Sequence, residues 1–200
     1  MQIEKLTLSV MDTNVYLVDI DDLIVIDPAD DVDVIKEAAA RIGKPIKYAL
    51  LTHGHFDHCN AVAQLQREGT KVFMSKTDFD MIQNGFDLAK YCGIHFNAFT
   101  PDGFIDEGEL CLEDKKINVI ATPGHTAGSL TFIIDNVIFS GDTLFFMSVG
   151  RADLPSGDKR QLTQSIKRLY ALDGDYLVYP GHGRNTTLNF ERENNPYVKA

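Results

Sequence analysis

The segment LLTHGHFDHC, residues 50–59, concentrates metal-ligand chemistry directly after an apolar run. Its donor side chains are His53, His55, Asp57 and His58. Imidazole and carboxylate together suit zinc, iron or manganese. Gly54 separates the first two histidines and permits a tight turn that brings their rings toward one point. A solvated loop rich in histidine is the simpler interpretation, but the density of the HxHxDH pattern favours a metal site.

Three further donors each follow a predicted strand and have a glycine beside them. His125 lies in TPGHTAGS, Asp142 in FSGDTLF and His182 in YPGHG. Strand ends are where a fold gathers its functional side chains, although one such residue alone would be a turn or capping residue. Together with the HxHxDH segment they make a set that is too large for one zinc and suits two metals. Two metals acidify a shared water and polarise a carbonyl or phosphoryl oxygen, which predicts a hydrolase.

Short apolar strands and amphipathic helices must position these donors. We predict strands at 3–10, 14–20, 23–28, 46–52, 71–75, 109–114, 116–123, 129–135, 136–142 and 176–180. We predict helices at 31–43, 61–69, 77–85 and 158–174, and a loop-rich region at 85–109. The pattern predicts an α/β or α+β fold with two helix-covered sheets, the second antiparallel. No linker interrupts it, so we expect one domain, residues 1–200.

Composition limits the choice of partners and compartment. The chain has 200 residues, 44% of them hydrophobic, and a formal net charge of −10. No cluster of Lys and Arg is long enough for a nucleic-acid surface, so we expect no nucleic-acid partner. Three cysteines without CxxC spacing favour a reducing compartment, and MQIEKLTLSV has no signal-peptide core. No apolar stretch reaches the roughly 20 residues of a membrane helix, so we expect a cytoplasmic protein without a membrane partner.

The motifs THGHFDH, TPGHTAGS, SGDTLF and PGHG, in this order, resemble the metallo-β-lactamase superfamily. Within it, the chain is similar to the glyoxalase II (hydroxyacylglutathione hydrolase) branch, and particularly to its short bacterial hydrolases. The resemblance implies an αββα sandwich of two mixed sheets flanked by helices, with two divalent metals. It implies three ligand groups: His53, His55 and His125 for the first metal, Asp57, His58 and His182 for the second, and Asp142 bridging both.

The resemblance also implies a mechanism and a substrate class. Asp57 and Asp142 would act in catalysis by holding a metal-bridging hydroxide, which attacks the carbonyl of a small-molecule thioester such as S-lactoylglutathione. Zinc is the expected metal, with iron or manganese as alternatives. Asp27, at the end of an early strand, would support the HxHxDH segment by hydrogen bonding, unless it is only a turn residue. Arg151 would bind the substrate, unless it forms an ordinary surface ion pair.

Three departures from the branch concern glutathione recognition. The helical segment that supplies basic residues in full-length enzymes is not found before Ala200, Asp153 stands where an aromatic residue is expected, and His182–Arg184 replaces a sequence with a substrate-contacting tyrosine. Alternative functions therefore stay open. They are a persulfide dioxygenase with one iron held by ligands such as His53, His125 and Asp142, a lactonase or β-lactamase, and a non-catalytic metal-binding module.

Overall fold

The computed structural model describes residues 1–113 and 115–200. The chain divides into two compact units, Met1–Ile105 and Asp106–Ala200, each with its own six-stranded sheet. The single domain over residues 1–200 stays a prediction. Asp114, the last residue of the strand predicted at 109–114, lies outside the described residues.

The first unit carries a mixed sheet in the order β1-β2-β3-β4-β5-β6. Its strands are β1 (Gln2–Leu8), β2 (Thr13–Ile20), β3 (Asp22–Ile26), β4 (Ile46–Leu50), β5 (Lys71–Met74) and β6 (Gly103–Phe104). Its helices are α1 (Val32–Ile42), α2 (Phe56–Cys59), α3 (Val62–Arg67), α4 (Lys76–Gln83) and α5 (Ala89–Cys92). The pairs β1–β2 and β2–β3 are antiparallel, whereas β3–β4, β4–β5 and β5–β6 are parallel. Parallel β3 and β4 therefore end at the same edge of the sheet.

Helix α1 shows how the sequence pattern produces these elements. Ile35, Ala38 and Ala39 recur at helical spacing, and all three are buried in the core of the first unit. The helix ends at Gly43, whose backbone adopts a φ of 84° and whose N–H bonds to the carbonyls of Ala39 and Ala40. Glycine takes this left-handed conformation without a steric penalty, so the chain turns there into β4.

The second unit carries a mixed sheet in the order β14-β13-β10-β9-β8-β7 and a small hairpin, β11–β12. Its strands are β7 (Gly108–Leu112), β8 (Lys115–Ala121), β9 (Leu130–Ile134), β10 (Val137–Gly141), β11 (Leu144–Phe145), β12 (Ser148–Val149), β13 (Leu177–Pro180) and β14 (Thr186–Thr187). Its helices are α6 (Lys159–Tyr170) and α7 (Leu188–Asn194). The expectation of an antiparallel second half is wrong for one pair, because β10 and β13 run parallel. The segment between them contains α6, and such a crossover is what joins parallel neighbours.

The predicted fold class, mixed sheets flanked by helices, is confirmed. The region predicted as loop-rich, 85–109, also contains α5, β6 and the start of β7. Strands β11, β12 and β14 and helix α7 were not predicted, because two-residue strands and a two-turn helix carry too little periodicity. Among the described residues, no helix has both the length and the apolar character that crossing a bilayer requires.

Candidate functional site

In the first unit, donor side chains follow the carboxyl ends of two neighbouring parallel strands, β3 and β4. Asp27 directly follows β3, and Thr52 and His53 follow β4 after one intervening residue. The last residues of the two strands, Ile26 and Leu50, are paired in the sheet. The Asp27 backbone bends out of the strand with a φ of 51°, and its N–H donates to the Leu50 carbonyl at 3.1 Å. The sheet itself therefore brings Asp27 against the HxHxDH segment.

The buried carboxylate of Asp27 accepts three hydrogen bonds from that segment. The Thr52 backbone N–H donates to Oδ1 at 2.7 Å and the Thr52 hydroxyl donates to Oδ2 at 2.7 Å. Nδ1 of His58 lies 2.9 Å from the same Oδ2. Donor atoms of Asp27, His53 and His58 lie within 4.8 Å of one another, and the hydrogen bonds account for this closeness. Asp27 is thus placed to orient candidate ligand side chains, and a turn residue alone would not explain these contacts.

These bonds also decide which ring nitrogens face the site. A carboxylate only accepts, so neutral His58 carries its proton on Nδ1 and presents the lone pair of Nε2. The single hydroxyl proton of Thr52 goes to Asp27, so Thr52 Oγ1 accepts from Nδ1 of His53 at 3.0 Å. His53 therefore also presents the lone pair of Nε2. Neutral imidazoles held this way are the usual form of histidine metal ligands.

His55 and Asp57 complete the donors of the first unit. The ring of His55 lies edge-on to that of His53, with centroids 4.8 Å apart. Asp57 lies in the first turn of α2, and its Oδ2 accepts from the buried Thr13 hydroxyl at 2.8 Å. The same Oδ2 lies 3.4 Å from Nε2 of His58. All four donors of HxHxDH are buried and gathered within this unit.

Gly54 is required for a different reason from the one predicted. Its φ is not in the left-handed region; instead, a Cβ there would lie 3.1 Å from the Asp78 carbonyl oxygen and 3.1 Å from Ile82 Cγ1, both on α4. The Gly54 N–H donates to the buried Asp78 carboxylate at 2.8 Å. Close packing against α4, rather than a tight turn, explains the glycine between the two histidines.

The second unit uses the same arrangement of parallel strands. Asp142 directly follows β10, and His182 follows β13 after one residue. The parallel pairing of β10 with β13, together with a Gly181 N–H bond to the Gly141 carbonyl at 2.9 Å, aligns the two strand ends. As a result, Nε2 of His182 lies 3.5 Å from Oδ2 of Asp142.

His125 reaches the same carboxylate from the loop between β8 and β9. Its Nε2 lies 3.4 Å from Asp142 Oδ2, and its Nδ1 lies 2.7 Å from the Arg151 backbone carbonyl. A carbonyl only accepts, so Nδ1 donates, and in the neutral imidazole Nε2 then carries the lone pair. Gly150 makes this approach possible, because a Cβ there would lie 1.7 Å from the Asp142 carbonyl oxygen and 3.4 Å from His125 Nδ1. The main chain of residues 150–151 therefore supports the donors of the second unit.

The distances between donors fit a bound cation. Nε2 lone pairs and carboxylate oxygens face each other at 3.4 Å in the pairs His58–Asp57 and His125–Asp142. Two acceptors at this distance repel unless a cation or a proton neutralises the contact. Ligands at about 2.0–2.1 Å from one tetrahedral ion lie about 3.3–3.4 Å apart, which matches these pairs. The spacing of these donor atoms therefore fits a divalent metal ion.

The side chain of Arg151 forms a bidentate ion pair. Its Nε and Nη2 donate to the two carboxylate oxygens of Asp153, each at 2.9 Å, and both side chains are more than two-thirds exposed. Hydrogen bonding to Asp153 raises the pKa of Arg151, and the same bond lowers the pKa of Asp153. Substrate binding by Arg151 stays a prediction. In the structure, its Nε and Nη2 groups already donate to Asp153.

Apart from Asp27, the residues that hold the donors were not predicted from the sequence. Thr13 begins β2, Thr52 precedes the first histidine and Gly150 follows β12. A buried threonine hydroxyl has no sequence signature that separates it from a strand threonine.

Cys59, next to His58, needs no functional role. Its buried thiol donates to the His55 carbonyl at 3.1 Å. Burial raises the pKa of this thiol, and the charge of Asp57 raises it further.

Most of the chain matches the model of one known protein family. The family model described as the metallo-beta-lactamase superfamily matches residues 8–182, which extend across both units. The hydroxyacylglutathione hydrolase GloC of Haemophilus influenzae is 34% identical over 184 residues, covering 88% of this chain and 87% of that protein.

Two solved structures resemble the whole chain. TTHA1623, described as a di-iron-bound form, is 34% identical with a TM-score of 0.90, and the match covers 98% of this chain and 100% of that one. BLEG-1, described as a B3 metallo-beta-lactamase, is 28% identical with a TM-score of 0.91, and both chains are covered in full. The mixed sheets with flanking helices therefore match a known fold.

Proposed function

The chain belongs to the metallo-β-lactamase superfamily, and from that premise we propose that it is a dinuclear metal-dependent thioesterase acting on S-acylated small thiols. The family match confirms the resemblance drawn from the four motifs, and it makes the chain a metallo-hydrolase with histidine and aspartate donors for divalent metals. The thioester substrate and the use of two ions are the proposal.

The observation that carries the proposal is the orientation of the histidines. His53, His58 and His125 each have Nδ1 tied to an oxygen acceptor of the protein, so each presents Nε2. We propose that the donors of both units act together. One ion would be held by His53, His55 and His125. The other ion would be held by Asp57, His58 and His182, and Asp142 would be a ligand of both ions. Metal identity among zinc, iron and manganese is left open by these donors.

The reaction is hydrolysis of a thioester. Bound metals would supply a water acidified to near neutral pH and a Lewis acid for the acyl oxygen. The water oxygen bonds to the acyl carbon, the C–S bond breaks, and an acid and a thiol are released. A thiol has a pKa of about 8.5, so it leaves without a strong general acid. Asp57 and Asp142 would act in catalysis as carboxylate ligands of the ions that supply this water, and the Thr13 hydroxyl keeps the Asp57 carboxylate in place.

Support for a thioester comes from the relative of Haemophilus influenzae, described as a hydroxyacylglutathione hydrolase. A second candidate is β-lactam hydrolysis, since BLEG-1 is described as a B3 metallo-beta-lactamase. Both candidates use water and a polarised carbonyl, so the donors alone do not separate them. Assays with thioester and β-lactam substrates are needed to separate the two activities.

The experiment compares substrates on protein of measured metal content. S-lactoylglutathione and a neutral S-acyl N-acetylcysteamine would be assayed beside a chromogenic β-lactam and a lactone. We expect hydrolysis of both thioesters, loss of activity on chelation and recovery on adding metal. Turnover of the β-lactam or lactone, with neither thioester hydrolysed, would overturn the thioesterase in favour of another hydrolase. One bound iron with oxygen consumption on glutathione persulfide would indicate the dioxygenase instead.

A further inference from the structure

A stack of three side chains lies beside His182 in the second unit. The guanidinium carbon of Arg184 lies 3.3 Å from the centroid of the Phe146 ring. On Phe146 packs Phe190 of α7, with nearly parallel rings whose centroids are 5.3 Å apart. Phe145, next to Phe146, stands edge-on to the His182 ring at 6.0 Å. The stack is therefore continuous, residue by residue, with a proposed metal ligand.

The stack rests on a fixed support. The turn of the β11–β12 hairpin presents Phe146, and its Met147 N–H donates to both oxygens of the Glu191 carboxylate at 3.2 and 3.1 Å. Glu191 is fully buried and also accepts from Thr186 at 2.7 Å and Asn195 at 2.8 Å. The aromatic platform is thus held by a satisfied buried carboxylate rather than lying loose on the surface.

Stacking leaves the donors of Arg184 available. A guanidinium contacts an aromatic ring through its flat face, so its N–H groups point outward in the plane. Within residues 1–113 and 115–200, the Arg184 side chain makes no ion pair, whereas Arg151 donates twice to Asp153. The chain has a net charge of −10, yet no carboxylate of its described residues pairs with Arg184. Its N–H groups are therefore well suited to bind an anionic group of a ligand.

The distance along the chain suits a small substrate. Arg184 follows His182 by two residues, which extend over at most about 7 Å of chain. Its guanidinium stacks on the Phe146 ring, and the neighbouring Phe145 packs edge-on against the His182 ring. A short acylated thiol with its reacting carbonyl at His182 therefore reaches Arg184 with a carboxylate elsewhere in the molecule.

We infer that Arg184 binds a carboxylate of the thioester substrate, with the Phe146–Phe190 stack holding its guanidinium in place. This inference rests on the proposed function and assigns it a substrate class: thioesters that carry a carboxylate. It also replaces Arg151 with Arg184 as the cation that recognises the substrate.

The test combines substrate charge with four arginine variants: Arg184→Gln, Arg184→Lys, Arg160→Gln and Arg151→Gln. Arg184→Gln is expected to raise KM for S-lactoylglutathione about tenfold with kcat changed less than about twofold, since it removes one charge-assisted contact. KM for neutral S-lactoyl-N-acetylcysteamine stays unchanged, and Arg184→Lys recovers part of the loss. Arg160→Gln, an exposed arginine on α6, is the matched control. S-succinyl-N-acetylcysteamine shows whether the carboxylate is read on the acyl or on the thiol part.

A second readout does not require turnover. Calorimetric binding of S-methylglutathione, which has no acyl bond, is expected to weaken about tenfold in Arg184→Gln and not in Arg160→Gln. If wild-type protein hydrolyses no thioester, the proposed function fails, and this binding difference still decides the inference. Equal effects of Arg184→Gln on charged and neutral thioesters, or a KM effect of Arg151→Gln in its place, would overturn it.

Discussion

The two units support their donors by different means. In the first unit the HxHxDH segment is held by side chains: Asp27 and Thr52 fix the imidazoles, and Thr13 fixes Asp57. In the second unit the support comes from the main chain, through the Arg151 carbonyl and the absent side chain of Gly150. Similar donors are therefore positioned by two kinds of interaction, with different sensitivity to substitution.

The largest effect is expected from removing one donor in either unit. His55→Ala and Asp142→Ala should each lose metal and lower turnover by more than about a hundredfold, because even changes in supporting residues cost 10–100-fold. Metal analysis and steady-state rates check this, and His95→Ala, an exposed histidine, serves as the control. Loss in only one of the two variants would mean that the two units do not share a function.

A glycine substitution tests the main-chain support. Gly150→Ala places a methyl group against the Asp142 carbonyl oxygen, and we expect a stability loss of about 3 kcal/mol or more together with weaker metal binding. Gly43→Ala, at an open position with a φ of +84°, should cost only about 1 kcal/mol and leave metal binding intact. Urea unfolding and metal titration separate the two. Equal behaviour of both variants would contradict the role given to residue 150.

Asp27→Asn tests the side-chain support. Its amide has a single acceptor oxygen, so it cannot accept both from the Thr52 backbone N–H at the Oδ1 position and from the Thr52 hydroxyl and His58 at the Oδ2 position, and the support of His58 is disrupted. We expect metal affinity to fall 10–100-fold. Asp33→Asn on the exposed face of α1 should have no effect. Unchanged affinity in Asp27→Asn would return this residue to a simple turn role.

The smallest effect is expected at Thr52. Thr52→Val removes the hydroxyl that links Asp27 to His53, and a roughly tenfold loss of metal affinity should follow. Thr52→Ser keeps the hydroxyl and should restore most of that affinity. If both variants bind metal equally, the tautomer of His53 is set by another contact.

Much of the fold and the donor set could be predicted from the sequence. Helices such as α1 repeat their apolar positions over three turns, and the donors follow strands with glycine beside them, so both leave strong patterns. The rest depends on tertiary contacts. Nothing in the sequence distinguishes Gly150 from other glycines until the Asp142 carbonyl is placed against it, and the Arg151 carbonyl has no sequence signature at all. The sequence predicts substrate binding by the Arg151 side chain, and its ion pair with Asp153 is likewise a contact that only the structure shows.

Anomalous X-ray scattering from crystals of the metal-loaded protein tests the central claim most directly. We expect two metal peaks per chain, each about 2.0–2.2 Å from nitrogen or oxygen donors of both units, with Asp142 contacting both. A single peak, or peaks bound only by donors of one unit, would contradict it.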